Sequence, residues 1–479
     1  MPAFPLVQIE ETLSNDYLQN AVYTSTGRLI VKRKDLVSGA VLPEYQELRD
    51  QANRIKRHTI ENLDYYLEQL ESKVVERGGK VLWCRDGGEV VDFLVKLAAE
   101  KNTNLIVKSK SMVTEEFGMN ERLAQHGLEP VETDLGEFII QLAHEKPYHI
   151  VLPALHMTRY QVADLFTEKL GVEREEVIEK QTKIARAVLR QKFLHAGIGI
   201  TGANFLVAES GAAVMATNEG NGRFTSTAPK VHVVIAGIEK LVPRAKDLAT
   251  FLKLLARSAT GQPLTVYTSF LSGPRRPNEI DGPEEFYLVL LDNGRTKLLA
   301  DREKRQSLYC IRCGSCLNHC PVYRKIGGHN YPWVYSGPIG SIITPQYQGV
   351  MQSPWLPFAS SLCGACAEVC PVKIEIPKLL LLLRSEVNKA KEKEHKNWLE
   401  HLIFRGWAWL MRHPKLFELG GMMGSAVLTA PESGGLIRNV LPFFRVGPLK
   451  AWIKERDLPP LPEKSFRQLW RERERTEKH

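Results

Sequence analysis

The sequence predicts an α/β domain at the N-terminus, a mainly helical cysteine-rich domain after it, and a helical basic tail. Three observations predict this. After Gly78-Gly79, short apolar strands alternate with helix-length amphipathic stretches as far as residue 291. Seven of the eight cysteines then lie between Cys310 and Cys370. From Glu375 to the end the chain carries twenty Lys and Arg against thirteen Asp and Glu, most of the formal net charge of +9. We place the domains at 1–300, 301–380 and 381–479, a number that suits 479 residues.

Taken in order, residues 1–42 are turn-rich and lack a clear period. Residues 45–76 read as one long helix, with Ile55, Leu63, Tyr66, Leu67, Leu70 and Val74 on one face. Residues 80–84 read as a strand and 89–100 as a helix. Further short strands are expected at 105–107, 149–152, 231–236, 264–267 and 286–291, with helices between most of them, which implies a largely parallel sheet. The charged run 301–305 leads into the cysteine domain. Residues 327–340 hold too much glycine and proline for a continuous helix, and read as an ordered loop packing aromatic rings. Beyond Pro377 a helical run passes through Trp398, Leu402, Trp407, Trp409 and Leu410. The stretch 458–475 is proline-punctuated and then charged, as a docking arm would be.

The cysteines carry the chemistry. Cys310-Ile-Arg-Cys313-Gly-Ser-Cys316-Leu-Asn-His-Cys320-Pro321 spells C-x2-C-x2-C-x3-C-P, and Cys363-Gly-Ala-Cys366-Ala-Glu-Val-Cys370-Pro371 repeats it from its second cysteine. Where the leading cysteine would stand, there is Ser360. A tight C-x2-C-x2-C loop wraps three corners of a cubane, and in two-cluster ferredoxins the cysteine before proline ligates the other cluster. By that crossed rule one cluster takes Cys310, Cys313, Cys316 and Cys370. The other takes Cys320, Cys363 and Cys366, with its fourth corner facing Ser360, an exchangeable ligand, or no iron at all. Two iron–sulfur clusters are therefore expected, of the [4Fe-4S] type, the second open to a [3Fe-4S] form or a non-cysteine ligand. Structural zinc favours two separated pairs of ligands. Disulfides would require an oxidising compartment, and the opening residues do not read as a secretory signal. The setting expected is cytoplasmic. Cys84, in the apolar run Val81-Leu82-Trp83-Cys84, reads as a core cysteine.

Other classes are disfavoured. No apolar run reaches the roughly 18 to 20 residues of a membrane-spanning helix. The basic C-terminal surplus suits acidic partners or a membrane surface, and no nucleic-acid motif accompanies it. A GxGxxG string, Gly197 to Gly202, follows a helix rather than a strand, the wrong context for a dinucleotide. More telling are Ala208-Glu209-Ser210-Gly211 and Asn218-Glu219-Gly-Asn-Gly-Arg223, polar segments placed between buried strands where open α/β sheets bind ligands. Glu209 and Glu219 are candidate acid/base groups and Arg223 a candidate carboxylate clamp. The plainer reading pairs Glu209 with Arg223 and leaves the glycines to make turns. Lys108, Lys110 and His156-Met-Thr-Arg159 follow two other strands and are candidates to line the same crevice; each alone reads as a solvated charge.

The order of these parts resembles lactate utilization protein B. The likeness rests on Gly-Ile-Thr-Gly-Ala, Ala-Glu-Ser-Gly and Glu219-Gly-Asn-Gly-Arg223, on the arm Cys310 to Pro321, on Gly327-Gly-His to Ile-Gly340, and on Ser-Ser-Leu-Cys363-Gly-Ala-Cys366 to Cys370-Pro. The serine at the short position is similar to the family pattern as well. The resemblance implies a lactate-utilization domain with a fold like the glucosamine-phosphate isomerase and CoA-transferase group, followed by a ferredoxin-type cluster domain. It also implies two companion subunits and a role in electron transfer during oxidation of L-lactate to pyruvate. No flavin or nicotinamide motif is evident, so the chain reads as a non-catalytic relay to an unidentified electron acceptor. Two alternatives stand beside it: a hydroxy-acid site around Glu209, Glu219 and Arg223 that makes the chain a catalytic subunit, and a first domain that only docks partners.

Overall fold

The computed structural model describes residues 5–393, 398–428 and 464–477. These fall into two compact units, Met1–Asn388 and Lys389–His479. In the first, ten strands form two sheets: β1 Lys80–Cys84, β2 Leu105–Lys108, β3 Glu129–Glu132, β4 Ile198–Thr201, β5 Phe205–Val207, β6 Ala212–Thr217, β7 Val231–Gly237, β8 Leu241–Val242, β9 Tyr267–Leu271 and β10 Glu285–Leu291. The main sheet has the order β1-β10-β7-β4-β2-β3 and is parallel throughout. The smaller sheet runs β8-β5-β6-β9, with β6 antiparallel to both neighbours.

A parallel sheet must be covered on both faces, so its strands are apolar almost continuously. All seven residues of β7 and all four of β4 are buried. Alternate residues serve different cores. Val231, Val233, Ile235, Val289 and Leu291 pack with Val90, Leu94 and Leu97 of helix Gly87–Glu100. Val234, Ala236, Leu288 and Leu290 face the opposite way, into a core that runs through the small sheet and on to Cys313, Cys316, Cys320, Cys366 and Cys370. The cysteine segment therefore shares its apolar core with the α/β domain.

Several expectations need correction. Residues 6–36 are helical, as Leu6–Ser14 and Asp16–Leu36. The second of these buries Val22, Thr26 and Arg33, so two of its three inward groups are polar and no apolar stripe marks it. The expected helix 45–76 is two, Tyr45–Glu61 and Leu63–Glu76, broken at Asn62, whose side-chain amide donates back to His58 O at 2.8 Å. Residues 149–152 form a turn. The buried His149 ring accepts the amide hydrogens of Val151 and Leu152 at 3.0 and 3.1 Å, groups a strand would have given to a neighbour. Burial holds that imidazole neutral, with its pKa lowered to about 3. The strand expected at 264–267 begins at Tyr267 and continues to Leu271.

Strand β4, Ile198–Thr201, lies inside the glycine string 197–202. A Cβ on Gly199 would stand 1.9 Å from the carbonyl oxygen of Thr225, in helix Asn221–Thr227 packed across the strand. These glycines serve close packing. Ala-Glu-Ser-Gly211 is the hairpin turn between β5 and β6, with Gly211 at φ 70° and the backbone of Lys73 and Val74 pressed against it.

In the second unit, helices Trp398–Met411 and Pro414–Leu428 precede helix Phe466–Thr476. Arg471 pairs with Glu418 at 2.7 Å and Arg467 lies over Phe417. Trp398, Trp407 and Trp409 are exposed. The proline-rich part of the expected docking arm, 458–462, lies outside the described residues. Among the described residues no helix is long and apolar enough to cross a membrane.

Gly199→Ala should lower stability by roughly 1–3 kcal/mol through overpacking of β4 against the helix that crosses it. Chemical denaturation of the purified chain measures this; an unshifted midpoint would contradict the packing role.

Candidate iron–sulfur centre

The two cysteine arms repeat each other's backbone. In the first, Arg312 and Gly314 adopt φ of 59° and 72°; in the second, Leu362 and Gly364 adopt 55° and 84°. A one-turn helix follows each, Ser315–Asn318 and Ala365–Glu368. A left-handed non-glycine residue costs roughly 1–2 kcal/mol, so its recurrence at matched positions marks a shape the surroundings impose. The amide of Arg312 donates to Cys310 Sγ at 3.4 Å. In the second arm the amide of Leu362 donates to Ser360 Oγ at 3.1 Å. Ser360 thus holds the local position that Cys310 holds in the first. Beyond each proline another amide is aimed at sulfur: Tyr323 N to Cys320 Sγ and Ile374 N to Cys370 Sγ, both 3.4 Å.

None of the eight cysteines is in a disulfide. Cys313, Cys316, Cys320, Cys366 and Cys370 are buried, while Cys363 is exposed. Burial raises the Cys313 thiol, and Cys310 and Cys370 raise it further. Cys316 is pushed well up by burial and then by Cys313, Cys310, Cys370 and Cys366. Cys366 rises to about 12, through burial and then Cys320 and Cys363. Cysteines from both arms therefore sit within electrostatic reach of one another. Metal coordination deprotonates a thiol outright, and a convergent all-thiol donor set with amides aimed at sulfur fits an iron–sulfur group.

Positive charge surrounds this set. Arg49 donates to three carbonyls of the second arm: Cys370 O at 3.0 Å, Ala367 O at 3.2 Å and Glu368 O at 2.7 Å. Asn53 reaches Val372 O, and Arg33 reaches Val369 O. Lys56 is fully buried and donates to Glu239 O and Leu241 O; burial lowers it to about 7 despite the opposing charges of Glu239 and Cys310. The sequence reading missed these residues, although Arg49, Asn53 and Lys56 recur at helical spacing on one face.

A buried network joins the cysteine loop to the sheet. Arg295 binds Glu116 through two nitrogens, at 2.6 and 3.0 Å, and Glu239 through Nε at 2.5 Å. Tyr335 donates to Glu116 at 2.6 Å, and Arg312 lies 3.7 Å from Glu239 and over the Tyr335 ring. Burial alone would raise Glu239, but Arg295 and Arg312 outweigh it and hold it at about 2.

Above this network lies a cavity of about 300 Å³ at the carboxyl ends of β2, β4 and β7, lined among others by Lys110, Glu219, Lys240, Arg312 and Tyr335. Of the sequence candidates it holds Glu219 and Lys110. Glu209 lines a different pocket, beside His58, Tyr66 and Arg244, and accepts the Ala245 amide at 3.0 Å. Arg223 lies over the Tyr267 ring, 5.4 Å from its centroid. The structure therefore does not bring Glu209, Glu219 and Arg223 into one cavity, nor pair Glu209 with Arg223. Lys108 is not solvated; it is wholly buried between Glu115 and Glu132. His156 bonds Glu145 at 2.7 Å and stacks on Tyr148, and Arg159 packs on Tyr160.

Residues 67–291 match the LUD domain family, 306–374 the 4Fe-4S dicluster domain, and 382–475 the C-terminal region of lactate utilisation protein B. Lactate utilization protein B of Bacillus licheniformis is 43% identical over 473 residues, covering 98% of this chain and 97% of that one. The chain belongs to the lactate utilization protein B family. The Bacillus subtilis member is 41% identical over 98% of this chain and 96% of its own length. An Escherichia coli relative named as an uncharacterized electron transport protein, YkgF, is 41% identical over 98% of this chain and 97% of its own. A solved DUF162-family protein from Deinococcus radiodurans covers 48% of this chain and 98% of its own at 12% identity, with a TM-score of 0.28, too slight a likeness to carry fold or function. The dicluster match makes this a lactate-utilization iron–sulfur protein.

Arg49→Ala should speed loss of iron to a chelator several-fold, because three carbonyls of the second arm lose their charged donor. Arg49→Lys, keeping charge without the planar fork, should recover part of the loss. Equal rates in all three chains would remove Arg49 from the account.

Proposed function

We propose that the chain relays electrons during oxidation of L-lactate to pyruvate, working with two companion subunits and an electron acceptor. The observation that carries this reading is the matched backbone of the two cysteine arms. Cys310, Cys313, Cys316 and Cys370 would hold one iron–sulfur cluster, and Cys320, Cys363 and Cys366 the other, both of the [4Fe-4S] type, with Ser360 at the fourth corner of the second. When bound, such clusters supply one-electron transfer, two of them matching the two electrons that lactate gives up. The chain's own residues do the rest. The arms fix the thiolates, Arg33, Arg49, Lys56 and Arg312 offset their charge, and the aromatic loop around Tyr331 and Tyr335 keeps water away. Exposed Cys363 gives the second arm a face toward partners.

A second reading has a specific observation behind it: a cavity at the strand ends whose wall includes Arg312, the residue between Cys310 and Cys313. On this reading the chain carries its own hydroxy-acid site. Anaerobic addition of L-lactate, followed by cluster absorbance and paramagnetic resonance with and without the companions, separates the two. Reduction that requires the companions supports the relay; reduction of the isolated chain overturns it in favour of a resident active site.

Ser360→Cys should change the spectrum of the second cluster and lower lactate-dependent turnover, since a thiolate would replace an oxygen or open corner. An unchanged spectrum would mean that Ser360 does not face that corner.

A further inference from the structure

We propose that Glu145, His156 and His329 bind one zinc ion, which clips the loop between the cysteine arms to the α/β domain. The three residues lie outside the strand-end cavity and outside the cysteine arms. The proposal depends on neither reading of the function.

Three separate stretches of chain meet here. Helix Leu135–Ala143 ends at His144, whose left-handed φ of 56° stops it one residue before Glu145. The chain then folds back on itself, Tyr148 N donating to Pro153 O at 2.9 Å. That reversal sets His156 against Glu145, with Nε2 2.7 Å from Oε2. His329 arrives from the loop between Cys320 and Cys363, directly after Gly327 and Gly328. The two glycines allow the approach. A Cβ on the first would stand 1.6 Å from Tyr148 Oη, and one on the second 1.8 Å from Tyr148 O. The His329 ring consequently stands edge-on to the stacked rings of Tyr148 and His156, its centroid 4.8 and 4.9 Å from theirs. One ligand atom from each of Glu145, His156 and His329 lies within 4.8 Å of the other two.

Two imidazoles and a carboxylate are a donor set that zinc takes in proteins, with a fourth position left to water. Binding requires neutral imidazoles and an ionised carboxylate. Burial lowers the His329 pKa, and the bond with His156 lowers that of Glu145. Nε2 of His329 lies 2.8 Å from Lys146 O. A carbonyl only accepts, so Nε2 carries the proton and Nδ1 keeps its lone pair. A backbone carbonyl behind a ligating histidine is the partner that fixes ring and tautomer. Nδ1 of His156 is buried and has no hydrogen-bond partner among the described residues. The bond to Glu145 alone therefore leaves that ring half satisfied. The Glu145 side chain is 40% exposed, which gives an ion a way in. Tyr323 connects the clip to the cysteines: its hydroxyl donates to Tyr148 O at 2.9 Å and its amide to Cys320 Sγ at 3.4 Å.

The test uses the full chain, loaded anaerobically with iron and sulfide so that the cysteines are occupied, then cleared of loose metal on a chelating resin. Zinc is added, and bound metal is measured by elemental analysis after equilibrium dialysis, with magnesium and calcium as comparators. One zinc per chain is expected, held at least tenfold more tightly than either comparator. His329→Ala and His156→Gln should each weaken it at least tenfold at unchanged iron content, and Glu145→Gln several-fold. Zinc should also slow amide hydrogen exchange across residues 327–331 in the parent but not in His329→Ala. A parent without saturable zinc would overturn the proposal. Zinc retained equally by Glu145→Gln and His329→Ala would overturn it too, as an adventitious ion only. Equal binding of magnesium would rule out the imidazole donors, and unchanged exchange with zinc bound would rule out the clip. A histidine variant that loses iron as well has lost its fold, and Glu145→Gln, altered at an exposed side chain, then decides. Failure of the parent to load iron bears on the cluster reading alone; the difference in zinc content between parent and Glu145→Gln still judges this site.

Discussion

Thiolates buried in a protein core need compensating positive charge, and much of this molecule is arranged around that constraint. Five of the seven clustered cysteines are buried, in a core continuous with the parallel sheet. The compensating groups come from distant parts of the chain: Arg33 and Arg49 from the first helices, Lys56 two turns further along the helix of Arg49, Lys240 after β7, and Arg312 from within the first arm. Each of these cations would be expensive to bury by itself. Arg33 and Arg49, held against carbonyls of the second cysteine arm, make the N-terminal helices part of the centre.

The same logic explains the join between sheet and cysteine loop. Arg295 and Arg312 approach Glu239 from two sides, and Glu116 binds both Arg295 and Tyr335. A buried ionic network fixes geometry more than it adds stability. Here it fixes the end of β7 and the start of the chain after β10 against the residue between two cysteines. The cavity at the strand ends and the cysteine loop consequently share a wall.

Which parts were legible in the sequence follows from what each residue packs against. Strands β1, β2, β7 and β10 announce themselves because both faces are apolar. The cysteine arms are legible because cluster chemistry fixes their spacing, and Ser360 stands out only against that spacing. Helix Asp16–Leu36 left no period because Thr26 and Arg33 point inward to Arg324 and to the carbonyl of Val369. Strand β4 was hidden inside a glycine string whose meaning is close packing against Thr225. The turn at 149–152 depends on a buried histidine accepting two amides, which no local pattern reveals. Of the polar candidates, the sequence pointed to the right edge of the sheet, but only Glu219 and Lys110 reach the cavity. The hairpin at Gly211 carries Glu209 to the helix Ala245–Ala259 instead, and the Arg223 side chain packs over the Tyr267 ring.

The central claim is that the two arms exchange ligands, the cysteine before each proline serving the other arm's cluster. Paramagnetic resonance of four reduced variants, Cys313→Ala, Cys370→Ala, Cys363→Ala and Cys320→Ala, tests it most directly. The account predicts that Cys313→Ala and Cys370→Ala perturb one signal, and that Cys363→Ala and Cys320→Ala perturb the other. Perturbation of the same signal by Cys370→Ala and Cys363→Ala, with Cys320→Ala following Cys313→Ala, would contradict it.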